Sequence, residues 1–131
     1  MSKTKFQQEY EINASVNILY PYISDPDGLA QWFVDGVSVD EDNIYNFVWD
    51  GEDHFAKVVL SKPNKYVKFQ FISKNTTQNN DPNYLEFELL KNEITETVYI
   101  SITDYSEMDN LEELNELWSC FVDNLRKLVG G

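Results

Sequence analysis

His54 is the only histidine of the chain and the first side chain to consider for proton transfer. A lone imidazole titrates near neutral pH and could act as a general acid or base. It lies beside a tight turn at the edge of a predicted sheet, where a partly solvated imidazole bonded to backbone or water is the more common arrangement. We therefore predict no catalytic histidine. A single histidine without clustered ligands also predicts no metal site.

The sequence gives equally little support for a nucleophilic cysteine or a catalytic serine. Cys120 is the only cysteine, so it cannot form an internal disulfide, and no basic neighbour in sequence favours its thiolate. Ser73, His54 and Asp53 could be combined into a Ser-His-Asp triad, but no serine has the glycine neighbours of a nucleophile elbow. The sequence thus predicts no catalytic residue and no cofactor.

Large aromatic side chains are more informative, because such rings can line an apolar cavity while their polar tips orient a ligand. The same rings at strand and helix spacing can instead pack against one another and fill a core. The sequence leaves both alternatives open. For the cavity alternative, the predicted ligand-binding residues are Tyr10, Trp32, Tyr45, Phe47, Trp49, His54, Val58, Phe69, Phe87, Ile100, Leu114, Trp118 and Phe121.

The composition is that of a folded, strongly acidic protein. Of its 131 residues, 42% are hydrophobic and 15% aromatic, enough for one core, and we predict a single domain over residues 1–131. The formal charge of −13, without a basic cluster, disfavours nucleic acid and anionic membranes as partners and leaves a basic protein or chaperone open. The N-terminal segment has no apolar stretch typical of a signal sequence, so we expect a cytoplasmic protein without membrane insertion.

A turn at Asp50-Gly51 sets the register of two predicted strands, because Asp-Gly is a preferred pair for the tight turn of a hairpin. With this tip, Phe47 faces His54. Directly opposed residues share one face of a sheet. The predicted inner face of these two strands consists of Tyr45, Phe47, Trp49, His54, Ala56, Val58 and Leu60.

Two further hairpins extend the same face. A four-residue connection at residues 62–65 pairs Leu60 with Val67, and a turn about residues 92–93 pairs Phe87 with Val98. Both place large apolar residues on the inner side, which predicts a curved antiparallel sheet with one buried face. The polar stretch at residues 73–83 has no periodicity and predicts a loop between the hairpins.

Before the hairpins, residues 5–12 alternate as a half-buried strand does. Ser15 can cap a following helix, which Pro21 should shorten or kink near Tyr20. The segment Ser24-Asp25-Pro26 resembles a second cap with proline at the first helical position, and predicts a short helix through Leu29, Ala30 and Trp32. Two small helices are therefore expected after the first strand.

Residues 110–129 predict a long amphipathic helix. Asp109 and Glu112 resemble a capping pair, and Gly130 is expected to end the helix. About 20 residues at 1.5 Å rise span roughly 30 Å, enough to cross the inner face of the sheet. Its apolar stripe is Leu111, Leu114, Leu117, Trp118, Phe121, Val122, Leu125 and Leu128. The predicted fold class is α+β, with the curved sheet wrapped around this C-terminal helix.

The segment from Asn13 to Phe33 resembles the start of START-like (SRPBCC) domains, in particular the branch related to activators of the heat-shock chaperone ATPase. The residues that match the motif of that branch are Tyr20, Ile23, Ser24, Asp25, Pro26, Leu29 and Trp32, whereas Ser15 replaces a common proline. The order of elements, ending in a long helix with Trp118 and Leu125, extends the resemblance over essentially the whole chain. It implies a helix-grip fold.

The resemblance does not select one function, because the superfamily includes lipid carriers, polyketide cyclases, hormone receptors and co-chaperones. Our main hypothesis is a non-enzymatic module that binds a small apolar or amphipathic ligand between the sheet and the C-terminal helix. The alternative is a co-chaperone-like adaptor whose acidic surface docks on a basic partner. A cyclase-like enzyme that acts by confining its substrate is a third hypothesis.

Overall fold

The computed structural model describes residues 3–72, 82–108 and 110–130. The elements follow in the order β1 (Thr4–Ile12), α1 (Val16–Ser24), α2 (Pro26–Leu29), β2 (Gly36–Val39), β3 (Ile44–Trp49), β4 (Glu52–Lys62), β5 (Tyr66–Phe71), β6 (Tyr84–Lys91), β7 (Val98–Ser106) and α3 (Leu111–Val129). Most of the predicted loop at residues 73–83, including Ser73 of the possible triad, lies outside the described residues.

The strands of the described part form one seven-stranded antiparallel sheet in the order β1-β7-β6-β5-β4-β3-β2. One face of this sheet packs against α3. The predicted α+β helix-grip fold, with a curved antiparallel sheet, two short helices after the first strand and a long C-terminal helix, is confirmed.

The predicted hairpin between β3 and β4 is confirmed residue by residue. Phe47 pairs with His54 and Tyr45 with Ala56. Both tip residues have left-handed backbone angles, with φ of 54° at Asp50 and 73° at Gly51. Two positive φ values characterise the tight turn that Asp-Gly favours, and this turn fixes the register.

The predicted register between β4 and β5 is correct at one end and wrong at the other. Val58 pairs with Phe69 as predicted, but a bulge between Val58 and Leu60 makes Leu60 pair with Lys68 instead of Val67. The connection is residues 63–65, one residue shorter than predicted, and Asn64 takes a φ of 60°. The extra residue of the bulge moves Leu60 off the inner face, so its side chain is 51% exposed.

The predicted pairing between β6 and β7 is wrong by four residues. Phe87 pairs with Ile102 rather than Val98, because the connection occupies residues 92–97 instead of a two-residue turn. The side chain of Asn92 stabilises this longer turn, its Oδ1 accepting from the backbone nitrogens of Ile94 at 2.9 Å and Thr95 at 3.2 Å. Because side chains alternate between the two faces of a strand, a shift by an even number of residues leaves each side chain on its predicted face.

The short helices also follow the sequence signals in part. The backbone nitrogen of Ile18 donates to Ser15 Oγ over 3.3 Å, as a cap requires. The helix nevertheless continues past Pro21 to Ser24, and α2 ends at Leu29, before Trp32. Trp32 is held instead by its indole Nε1, which donates to the carbonyl oxygen of Tyr22 over 2.8 Å.

The N-terminus of α3 is capped by Asn110, whose Oδ1 accepts from the backbone nitrogen of Glu113 over 3.0 Å. Asp109, half of the predicted capping pair, lies outside the described residues. At the other end Gly130 takes a φ of 92°, the left-handed conformation that ends a helix, as predicted. The predicted apolar stripe is too broad, because Leu111, Leu117 and Leu128 are exposed while Leu114, Trp118, Val122 and Leu125 are buried.

Polar contacts fix α3 across the sheet. Arg126 donates from both Nε and Nη2 to the carbonyl oxygen of Glu11 on β1, over 3.1 Å and 2.8 Å. Asn124 Nδ2 donates to the carbonyl oxygen of Trp32 over 3.4 Å. The C-terminal half of α3 is therefore tied to β1 and to the segment after α2, while its N-terminal half lies above the far ends of the central strands.

Candidate functional site

A cleft of about 1160 Å³ lies under the N-terminal half of α3. One side is the end of the sheet where β3 turns into β4, where β5 ends and where β7 ends. The other side is α3 from Glu113 to Phe121, together with Phe33 and Val34 from the segment that precedes β2. The cleft is open to solvent, because exposed residues such as Asp50 and Met108 form part of its lining.

Aromatic side chains form part of both walls of the cleft. Trp118 contacts Phe33 and Phe121 with ring centroids 5.5 Å and 5.4 Å apart. On the sheet side, the rings of Trp49 and His54 stack 3.5 Å apart with 7° between their planes. Of the residues predicted from sequence to bind a ligand, those that line the cleft are Trp49, His54, Leu114, Trp118 and Phe121.

The centre of the space between sheet and helix is filled by side chains. Phe47 contacts Phe69 with centroids 5.1 Å apart, and Trp32 contacts Phe87 at 5.4 Å, all four rings being buried. Ile100 is fully buried with them. Tyr10, Tyr45 and Val58 are half-buried at the edge of this core. These eight predicted residues do not appear in the lining of the cleft, and their assignment to a ligand stays a prediction.

Tyr45 has a structural partner. Its hydroxyl donates to the carbonyl oxygen of Ser24 over 3.0 Å, which joins β3 to the end of α1. Burial raises the pKa of the Tyr45 phenol, and the negative charge of Asp25 raises it further. Tyr45 therefore stays a neutral donor that holds α1 on the sheet.

His54 presents a buried imidazole atom without a partner. Its Nε2 is inaccessible to solvent and forms no hydrogen bond among the described residues. The neighbouring Asp53 carboxylate is engaged elsewhere, because Asn46 Nδ2 donates to its Oδ1 over 3.2 Å. The Asp53–His54 half of a triad is therefore not formed in this arrangement, and Ser73 is outside the described residues.

Asp104 on β7 is the residue that the sequence reasoning missed. Its Oδ2 accepts from Trp118 Nε1 over 3.0 Å, and it lines the cleft. Burial raises the pKa of the Asp104 carboxyl, while hydrogen bonds from the Trp118 and Ser106 side chains oppose the rise. A usable signal existed, since Asp104 continues the inward parity of Val98, Ile100 and Ile102 and is thus a carboxyl on an otherwise apolar face.

We also searched the described residues for metal ligands, a reactive cysteine and membrane-spanning helices. No group of three or more His, Cys, Asp or Glu side chains in residues 3–72, 82–108 and 110–130 is arranged to hold a metal ion. Cys120 is exposed on α3. A helix able to span a membrane does not occur in the part of the chain that the structure describes.

The fold has many structural relatives. A Bacteroides fragilis protein, BfR322, is 35% identical, with 98% of this chain and 92% of that chain covered and a TM-score of 0.62. The Aha1 dimer from Colwellia psychrerythraea is 22% identical, with 96% of each chain covered and a TM-score of 0.74. DynU16, a protein encoded in the dynemicin biosynthetic locus, is 17% identical, with 94% of this chain but 46% of that chain covered and a TM-score of 0.70.

No curated protein matches the chain. The family model of the START-like superfamily domain matches residues 1–131, the whole sequence. This match agrees with the resemblance seen in residues 13–33 and with the observed helix-grip architecture. The chain belongs to the START-like superfamily.

Proposed function

We propose that this domain is a non-enzymatic binding module that takes up a small amphipathic molecule in the cleft under the N-terminal half of α3. The observation that carries the proposal is the cleft of about 1160 Å³ with aromatic side chains on both sides. Ligand pockets in proteins typically measure roughly 300–1,000 Å³ and are mostly apolar with a few polar groups. Burial of apolar ligand surface would supply most of the affinity, at about 25 cal/mol per Å² before association costs.

The proposed location is one end of the space between the sheet and the C-terminal helix, in which the sequence predicts the ligand. Phe47, Phe69 and Phe87 have no exposed surface, so a molecule could not enter the centre without displacing packed rings. At the cleft, by contrast, Trp49, Trp118 and Phe121 already line an open space. A ligand there displaces water and leaves the core intact.

Two leucines on α3 provide a matched test. Leu117 lines the cleft and is 40% exposed, whereas Leu128 is 41% exposed on the same helix and away from the cleft. We would screen a library of small amphipathic compounds by amide chemical-shift changes, and then measure the affinity of each hit. Leu117→Trp should weaken binding because the larger ring occupies the cleft, whereas Leu128→Trp should not change it.

Both substitutions are at exposed positions, so each should alter the free energy of unfolding by less than about 0.5 kcal/mol. Chemical-shift changes confined to residues around Trp49, Asp104 and Trp118 would support the proposal. The absence of any hit in the library, or binding that both variants retain equally, would refute it.

A second candidate is the co-chaperone-like adaptor, and the charge of −13 favours it. An acidic surface attracts a basic partner, and exposed charge pairs are screened by salt. Capture of a basic chaperone or client that weakens steeply between low and physiological salt would support this function. Binding that is insensitive to salt would exclude it.

A further inference from the structure

We propose that the ligand of the cleft is a cationic amphiphile, with a protonated amine near Asp104 and a ring-bearing apolar body against the aromatic walls. This inference rests on the proposed function, because it names the chemical class of the molecule that the cleft binds. Three features of the cleft lead to it: the sign of its charges, the kind of polar atom left without a partner, and the position of Asp104.

The charged side chains that line the cleft are all acidic among the described residues, with no lysine or arginine. They are Asp35, Asp50, Asp53, Asp104, Glu107 and Glu113. A concave site lined by one sign of charge concentrates ligands of the opposite sign. It disfavours the carboxylate of a fatty acid or any phosphate-bearing molecule.

The buried polar atoms without partners give independent support. Only three such side-chain atoms occur in the described residues, and two of them, His54 Nε2 and Asn83 Oδ1, belong to residues that line the cleft. The amide of Asn83 is oriented by its Nδ2, which donates to Glu107 Oε2 over 2.9 Å, so its oxygen is left as the free group. The carbonyl oxygen of an amide is an acceptor. An ammonium group carries up to three donors and complements such an acceptor.

Asp104 offers the complementary charge at the inner end. Trp118 Nε1 occupies its Oδ2, but a carboxylate has about four acceptor positions and can still receive donors from a ligand. Burial penalises an unpaired carboxylate, and a cation beside it offsets that penalty.

The test uses three compounds with the same naphthalene ring and different charge: 1-naphthylmethylamine, 1-naphthalenemethanol and 1-naphthoic acid. Their affinities are measured by isothermal titration at neutral pH and low salt. The amine should bind at least about tenfold more tightly than the alcohol, since a charge-assisted hydrogen bond contributes about that factor or more. The acid should bind more weakly than the alcohol. Added salt should reduce the affinity of the amine and leave that of the alcohol unchanged.

Asp104→Asn keeps the size of the side chain and an acceptor for Trp118 while removing the charge. It should abolish most of the preference for the amine without weakening the alcohol. The matched control is Asp42→Asn, which removes the same charge from the exposed turn at the opposite end of β3, outside the cleft. This control should retain the preference.

A pH series on the unmutated protein provides a readout that does not depend on a variant. The preference for the amine should decline as the pH falls and Asp104 becomes protonated. Other titratable groups face the same cleft and contribute to the total pH dependence: Asp35, Asp50, Asp53, His54, Tyr105, Glu107 and Glu113. The part of this pH dependence that is lost in Asp104→Asn is due to Asp104.

The outcomes separate this inference from the proposed function. If none of the three compounds binds in the cleft, the cationic specificity is refuted, while the proposed function is decided separately by the library screen and the Leu117→Trp variant. If the alcohol or the acid binds there as tightly as the amine, the cleft is a binding site but the cationic specificity is refuted. An amine preference that Asp104→Asn leaves intact also refutes the role of Asp104.

Discussion

The charge of Asp104 should lower the free energy of unfolding of the ligand-free protein at neutral pH. A variant without this charge tests the expectation. Its pKa is raised, with burial as the largest cause, so in the folded state the carboxyl holds its proton at pH values where the unfolded chain has released it. Between the unfolded and the folded pKa the native state binds more protons, and the free energy of unfolding therefore falls as pH rises through that window. Above the window the whole penalty is present.

The size of the effect follows from what each substitution leaves behind. In Asp104→Asn the side-chain oxygen can still accept from Trp118 Nε1, which donates to Asp104 over 3.0 Å, so the free energy of unfolding at pH 7 should be unchanged or higher by up to about 1 kcal/mol. In Asp104→Leu that indole nitrogen loses its acceptor. A buried donor left unsatisfied costs about 1–3 kcal/mol, so this variant should be less stable than the unmutated protein.

The assay is urea unfolding of the three proteins, followed by tryptophan fluorescence over a pH series from acid to neutral. The stability of Asp104→Asn relative to the unmutated protein should increase with pH and then level off above the raised pKa of Asp104. The reasoning is refuted if the asparagine variant is as unstable as the leucine variant, or if its relative stability falls as the pH rises. Such a result would mean that the charged carboxylate stabilises the fold.

The remaining predictions concern the elements that hold the cleft. Phe87→Ala should lower the free energy of unfolding by about 3–5 kcal/mol, because the ring is fully buried; a loss below 1 kcal/mol in chemical denaturation would contradict the filled core. Gly28→Ala should destabilise by about 1–3 kcal/mol, since an added Cβ would clash with the carbonyl oxygen of Pro21. Gly36→Ala has open space and should be neutral when both variants are compared by thermal melting. Asn110→Ala should cost about 1 kcal/mol through loss of the α3 cap, and equal melting temperatures would disprove that role.

Register was predictable where the turn is short and its residue types are specific. The Asp50-Gly51 pair specifies two positive φ values, and the pairing of Phe47 with His54 follows from it. The connection at residues 92–97 gives no comparable signal, because its conformation depends on the Asn92 side chain bonding two backbone nitrogens. The bulge after Val58 likewise has no sequence marker. The four-residue error between β6 and β7 left each side chain on its predicted face, because an even shift does not exchange the two faces of a strand. The single extra residue of the bulge does exchange them, so the predicted face of Leu60 was wrong.

The candidate site was predictable in part. The register of the Asp-Gly hairpin predicts Trp49 and His54 on the inner face, and helical periodicity predicts Leu114, Trp118 and Phe121 there. All five line the cleft. Periodicity shows that a side chain points inward but not whether another ring meets it there. Asp104 was overlooked for a related reason, because its partner Trp118 comes from an element distant in sequence.

Alternation along the strands, the Asp-Gly turn and the stripe of the last helix determined a sheet with one apolar face and a helix to cover it, because these signals arise from local backbone geometry. Whether the space between them is filled or empty was decided only in three dimensions. Arg126 and Asn124 hold the C-terminal half of α3 to β1 and to Trp32, and the rings of Phe47, Phe69 and Phe87 close the centre. The space that remains lies at the other end, where residues from five different parts of the chain meet around Asp104, and the size of such a space depends on how all of them pack together.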